Sequence, residues 1–544
     1  MKHVIPAFSL ALVTVTGCGD SASGTEDTGT QPVGSTTADD DESTGEVPTT
    51  GGEESTGAPF EPIPARGGLK IAKIEVNPGV AIKIEENGVG VPGEDRNAFV
   101  PKNRDTLFRV FVDVPDDWTP RNIEARLELS GGGVDETLSK AFLIEADTFD
   151  GQLTGPFFGL PAEQVVPGLK YRVSLWEAEP GQEALPEPSE PPVSPKSGTA
   201  FIGVESAFAE MRVVLVPVDY SFDGCDKLVD GEAQRQAFQD ALYQQNAIES
   251  LDFQVHAPHK VTYNLREFGG LSQLVGEMSQ LRGADGVDPN VYYYGLFDNC
   301  GACIGDTQTG CTVGLAFDIT GGEMSDAFAR AAAGQLNSGA AETFVHEIGH
   351  TQGRRHIECD GAGTQAAGTD PSYPYEGGVI DKWGFGVRDF LLRHPTTNAD
   401  YMSYCGKVWA SDWQWNATYL RIKELSSWSM AGAPAPEGPG QLVGTIEPDG
   451  KERWWTVPGQ FAAARAGATH GLTFDFADGS VASPASVRVR PDSETLIVVT
   501  GLPADFDRRA LTGLRVRDEQ GERPIALDEL KLLHRPVDAA GSPR

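Results

Sequence analysis

His346, Glu347, His350, Gly353 and His356 form the pattern H-E-x-x-H-x-x-G-x-x-H within residues 343–356. The four-residue spacing sets His346 and His350 on one face of a helix, one turn apart. Two imidazoles so placed can share a zinc ion, with Glu347 beside them as a candidate general base. Gly353 can take the left-handed conformation that ends a helix, which returns His356 toward the pair as a third ligand. Three protein ligands leave a position for water, the arrangement of a catalytic zinc site rather than a closed structural one. An ion held by neutral imidazoles acidifies water to a pKa of about 7 and polarises a carbonyl. Glu347 would take the proton of the attacking water and pass it to the departing amine. Hydrolysis of an amide bond is the reaction this group suits.

The elements that must position these residues can be read around them. Residues 211–218 form a buried-type strand, 232–250 carry apolar residues at helical spacing, and 291–297 and 312–319 read as further strands. Ser338 is a plausible N-cap for the histidine helix, which runs through Gln352. Ser411 opens a closing helix to Trp428. Before this region, residues 65–206 alternate with period 2 between turn signals such as Asn77-Pro78-Gly79 and Gly131-Gly132-Gly133, which suggests an immunoglobulin-like β-sandwich. Residues 431–440 are a Pro/Gly-rich linker, and 441–544 return to alternating segments.

Downstream lies Asp400-Tyr401-Met402-Ser403-Tyr404-Cys405. With the histidine pattern, this stretch resembles the Met-turn of the metzincin clan of zinc metallopeptidases, a resemblance covering roughly residues 211–428. It implies an α+β catalytic domain at 207–430, flanked by two all-β, sandwich-like domains at 65–206 and 441–544. It implies His346, His350 and His356 as ligands of one catalytic Zn2+, Glu347 as base and Met402 as the hydrophobic floor of the site. Tyr404 would be a fifth ligand or a transition-state donor, as in astacin- and serralysin-like members. In such enzymes a strand above the zinc pairs with extended substrate, and residues 312–318 match that edge. Structural Ca2+ would also be consistent with the resemblance, though the sequence itself does not show it. The segments after His356 and after Met402 should converge beneath the metal, which points to a Cys359–Cys405 disulfide. Cys303 with Cys311 is the second choice, leaving Cys225 with Cys300. The departures are Ile357, which matches no particular subfamily, and Arg354 and Arg355, whose expected role is exposed solvation. His256-x-x-His259 reads as incidental.

The remaining sequence bounds place and partners. A net charge of −36 over 544 residues argues against nucleic acid, whose phosphates need clustered Lys and Arg. Lys2 and His3 precede an apolar run at 4–15 that ends in Val15-Thr16-Gly17-Cys18, which resembles a bacterial lipobox and makes Cys18 the lipidation site. Residues 1–18 would then be a lipoprotein signal, and 19–64, with no Lys or Arg between Asp20 and Glu61, a disordered acidic stalk. Removing Cys18 leaves six cysteines, an even number suited to disulfides in an exported protein. The reading is a lipid-anchored zinc endopeptidase of the bacterial cell envelope, exposed at the outer membrane or cell surface, acting on protein or glycoprotein substrates. The alternatives are free secretion, a surface binding or adhesion protein on an inactive protease scaffold, and a cell-wall peptide amidase. Retention of Glu347 speaks against the inactive scaffold, because a binding module has no need of a base.

Overall fold

The computed structural model describes residues 60–306, 310–317, 324–362, 366–430, 439–459, 461, 470–490, 495–506, 509–518, 521–527 and 530–531. Cys18, the stalk and most of the 431–440 linker lie outside the described residues. Residues 60–544 belong to one compact unit.

The expected fold class, an α+β catalytic domain between two all-β domains, is corrected here. Strand outweighs helix, 40% against 18%, and the described residues show no sizable self-contained α+β domain. The physical reason is that the central elements do not close a core of their own. Their apolar faces are completed by the β-sheets on either side.

In the N-terminal part, two antiparallel sheets carry the alternation that the sequence shows. One orders Val89–Gly90, Ile82–Glu86, Lys70–Asn77, Thr106–Asp113 and Phe157–Leu160. The other orders Ala200–Phe201, Lys170–Glu177, Arg121–Gly131 and Val134–Ile144. In Arg121–Gly131, Ile123, Ala125, Leu127 and Leu129 point inward at every second position. Phe108 of the first sheet meets Tyr171 of the second, edge to face at 5.5 Å.

The central sheet is built on the long strand Glu210–Phe222, which pairs in parallel with Ser250–Val255 and Val291–Phe297. Ala331–Gln335 continues it in parallel, and Gly314–Ala316 closes it as an antiparallel strand. Every residue of Val291–Phe297 is buried, as expected of a central parallel strand covered on both faces. Helices α1 (Gly231–Gln245), α3 (Ala340–Thr351) and α4 (Asp412–Met430) supply apolar residues to the core on one face. Helix α2 (Phe268–Ala284) covers the other, between this sheet and the C-terminal strands. Trp455, Val457, Ile497 and Val499 of those strands join the same core as Leu271, Leu274 and Met278 of α2. The C-terminal strands make one eight-stranded sheet, with Gln441–Ile446 between Leu496–Gly501 and Glu452–Val457.

Arg104 joins the N-terminal sheets to the central elements. It is fully buried and donates to the carbonyls of Pro78 (2.6 Å), Tyr243 (2.7 Å), Ile248 (3.0 Å) and Gln244 (3.2 Å). Tyr243 and Gln244 end α1, so the cation meets carbonyls that have no partner within the helix. Its guanidinium lies between the rings of Tyr243 (4.4 Å) and Trp415 (4.9 Å). Burial pushes its pKa down to about 10, which leaves it charged at neutral pH. Nearby, the indoles of Trp409 and Trp415 donate to Gly79 O (2.8 Å) and Phe99 O (3.0 Å).

These ties predict that Arg104→Met destabilises the whole unit rather than one end. Leaving several buried carbonyls without donors should cost on the order of 3 kcal/mol or more. Chemical denaturation of the two proteins measures it. A loss below about 1 kcal/mol would show that water reaches those carbonyls and replaces the guanidinium.

Candidate metal centre

Helix α3 carries His346, Glu347 and His350, and ends at Thr351 with Gln352 as C-cap. Its N-cap is Gly339 without a side-chain bond, so Ser338 does not serve as the expected cap. Gly353 stands at φ +81°, and the Arg354 amide donates to Gly349 O at 3.0 Å. This left-handed turn sends the chain back under the helix and delivers His356.

The three histidines converge. His350 Nε2 lies 3.2 Å from His346 Nε2 and 3.1 Å from His356 Nε2. Each opposite nitrogen is held by a backbone carbonyl. His346 Nδ1 lies 2.9 Å from Tyr401 O, His350 Nδ1 2.8 Å from Arg354 O, and His356 Nδ1 2.7 Å from Ala367 O. A carbonyl only accepts, so each Nδ1 must carry the proton and each Nε2 must present a lone pair. Three acceptors facing one another repel unless a cation takes all of them. Around a tetrahedral ion with metal–nitrogen bonds of 2.0–2.1 Å, neighbouring nitrogens stand about 3.3–3.4 Å apart, close to the spacing here. The group can therefore hold a metal ion.

Burial favours the neutral form of two of these rings. Burial, followed by the charge of His356, pushes His346 down to about 3. His350 is pushed well below the ordinary histidine range, again by burial first and then by its two neighbours.

Met402 is fully buried beneath the helix, where a methyl group on Gly349 would overlap its sulfur. The turn carrying it is fixed by Asp400, which is also fully buried. Asp400 Oδ1 accepts from Met402 N at 2.9 Å, and Oδ2 from the Ser411 hydroxyl at 2.6 Å. Burial raises the Asp400 pKa to about 6. Ile357 N donates to Met402 O at 2.9 Å, joining the segment after the third histidine to this turn. Tyr404 is 45% exposed, its ring 4.8 Å from that of His356 and 5.8 Å from that of His346. Beside it, Cys405 is bonded to Cys359 across a Cα separation of 6.3 Å. The other disulfides join Cys225 to Cys300 and Cys303 to Cys311.

Glu347 is 6% exposed and lies against the outer strand of the central sheet. A methyl group on Gly314 would overlap its Oε1. Its charge also helps raise the pKa of the buried Tyr294, after burial itself. Of the strand expected at 312–319, the described residues include the short segment Gly314–Ala316, with its first residue pressed on the carboxylate, while 318 and 319 lie outside the described residues. Arg355 is exposed, but Arg354 is not merely solvated. Its guanidinium lies 4.8 Å from the Trp413 ring and 3.9 Å from Asp370. His256 and His259 stand apart from the cluster and pair with Asp285 (3.3 Å) and Glu277 (2.9 Å).

Asp400, Gly314 and Tyr294 are the residues at this site to which the sequence assigned no role. Asp400 had a signal, an acid at the head of the Met402 turn. Gly314 and Tyr294 had none, because their place depends on sheet pairing.

No protein-family model and no curated protein matches the chain. Among solved structures, one described as "Structure of a chaperone-substrate complex" aligns at 13% identity and a TM-score of 0.21, over 50% of this chain and 39% of that one. Another, "Crystal structure of putative beta-galactosidase from bacteroides fragilis", aligns at 10% identity and a TM-score of 0.14, over 85% of this chain and 72% of that one. At these scores neither alignment establishes a shared fold.

Proposed function

We propose that this chain is a zinc-dependent endopeptidase whose metal centre is of the metzincin kind. The observation that carries the reading is the convergence of three Nε2 lone pairs beside a buried carboxylate, with every Nδ1 fixed by a carbonyl. Neutral imidazoles suit zinc, which would supply a Lewis acid able to acidify water and polarise an amide carbonyl. Glu347 is the general base, taking a proton from water on its carboxylate and delivering it to the leaving nitrogen. Tyr404, with its ring beside His356 and His346, is the donor to the developing oxyanion or a further ligand. The Gly314–Ala316 segment ends the strand order of the central sheet among the described residues, which is the position where an extended peptide would pair.

The reading is tested on Glu347→Gln, which keeps the carboxylate's shape and removes its basicity. The variant should retain about one zinc per chain and lose at least 100-fold in peptide hydrolysis. Hydrolysis at the parent rate would remove Glu347 from the mechanism, while failure of the parent itself to bind zinc would remove the metal centre.

The depressed histidine pKa gives a pH test. A free imidazole is mostly protonated at pH 5, because its pKa is about 6.5. In the folded apo site burial holds His346 and His350 neutral well below that range, so imidazole NMR of the apo protein at pH 5 should show both rings unprotonated. By the same linkage the unfolded chain takes up protons below about pH 6.5 that the folded apo site refuses, so apo stability falls on acidification below that point. Protonated His346 and His350 rings in the folded apo protein at pH 5 would contradict the burial argument.

The disulfides point to an oxidising compartment, extracellular or periplasmic. Within that, the proposal is a lipid anchor on Cys18 with residues 19–64 as tether. The mature chain should begin at Cys18, partition into detergent and become soluble on Cys18→Ser. An unmodified N-terminus at another residue, seen by intact mass, would replace the anchored enzyme with a secreted one.

A further inference from the structure

Arg354 stands where the sequence suggests only a solvated side chain, yet its contacts lead to the segments that hold the three histidines. Its own carbonyl is the anchor of His350 Nδ1, at 2.8 Å. Its guanidinium faces the Asp370 carboxylate at 3.9 Å, with 16% and 15% of the two side chains exposed. Asp370 belongs to the loop that fixes His356. Its amide donates to His356 O at 2.8 Å, and Ala367, three residues earlier, supplies the carbonyl that holds His356 Nδ1. The third anchor is Tyr401 O, which holds His346. Burial and then the charge of Asp400 raise the Tyr401 hydroxyl above its ordinary range, and Arg354 opposes them. The guanidinium is therefore within electrostatic reach of that segment as well.

More than charge holds this side chain. The guanidinium lies over the Trp413 ring at 4.8 Å, near the start of α4. Trp413 also meets Tyr373 edge to face at 5.4 Å, and Tyr373 N donates to Asp370 O at 3.3 Å. Asp370 Oδ1 accepts from the amide (3.0 Å) and the hydroxyl (2.5 Å) of Ser372, while Oδ2 faces Arg354. A fully exposed ion pair would contribute little. Here partial burial and a planar stack on an indole restrict the cation, a role that the flat guanidinium fills better than an ammonium.

We propose that Arg354 is a positioning residue of the metal centre, which with Asp370 and Trp413 clamps the end of the histidine helix to the loop beyond His356. The clamp keeps the carbonyls of Arg354 and Ala367 in register, so that the lone pairs of His350 and His356 stay convergent. A ligand whose Nδ1 partner shifts turns its ring plane with it. Arg354 acts through these carbonyls and touches neither metal nor substrate. The inference rests on the zinc reading of the site and adds to it the side chains that hold the ligands in place.

The test is the zinc affinity of the full chain, measured by competition with a chelator, in Arg354→Met, Asp370→Asn and the double variant. Losing a partner that orients a ligand weakens metal binding by about 10–100-fold. Each single variant should lose at least about 10-fold, and the double variant no more than the worse of the two. The visible spectrum of the cobalt-loaded protein separates orientation from folding. At full loading it should shift in each variant, whereas a purely structural pair would lower the melting temperature and leave the spectrum unchanged. Should Arg354→Met fail to fold, Asp370→Asn decides alone. Parental zinc affinity with an unchanged cobalt spectrum would overturn the clamp and leave the metal centre standing, and strictly additive losses would overturn the pairing. A parent chain that binds no zinc would reject the metal centre itself, and the clamp with it.

Discussion

The arrangement around the histidines depends on three hydrogen bonds to main-chain carbonyls, more than on the histidines themselves. Tyr401 O, Arg354 O and Ala367 O come from the turn above Met402, the end of the helix and the loop beyond His356. Each fixes a tautomer and a ring plane, so the lone pairs meet at one point only while all three backbone segments hold their places. Much of the surrounding structure can be read as securing those segments. Asp400 fixes the turn, the left-handed Gly353 fixes the helix end, and the Cys359–Cys405 bond joins the segments following His356 and Met402.

Side chains also reach across the boundaries that composition suggests. Arg104 belongs to the N-terminal sheets by sequence, yet its donors are spent on the end of α1 and the backbone just beyond it. Trp409 and Trp415, close in sequence to the Met402 turn, donate to Gly79 and Phe99 in the N-terminal part. A cavity or a misplaced carbonyl at this junction would therefore reach the histidine cluster through packed side chains, without touching a histidine.

The candidate site was largely legible in the sequence, because helical spacing and a glycine turn are local. His346, Glu347, His350, Gly353 and His356 needed only one helix and one reversal to be read together. The fold class was not legible, and the reason is equally physical. Periodicity reports which face of an element is apolar, but not which other element covers it. Helix α2 illustrates this: with Gly269, Gly270 and Gly276 and apolar residues toward two sheets, it has neither a side-chain cap nor a single apolar stripe. The same limit hid Gly314, whose contact with Glu347 depends on the pairing of its strand with Ala331–Gln335.

The position of α2 also orders events in time. One side of this helix lies on the parallel sheet, and the other is covered by Trp455, Val457, Ile497 and Val499. A ribosome that has released residues 1–430 has made every histidine of the metal centre, yet the chain still lacks the wall that closes the far side of the sheet. The central layer is thus completed only after nearly the whole polypeptide has emerged. Until then a partly made chain presents an unfinished apolar surface, open to any partner that binds exposed apolar faces.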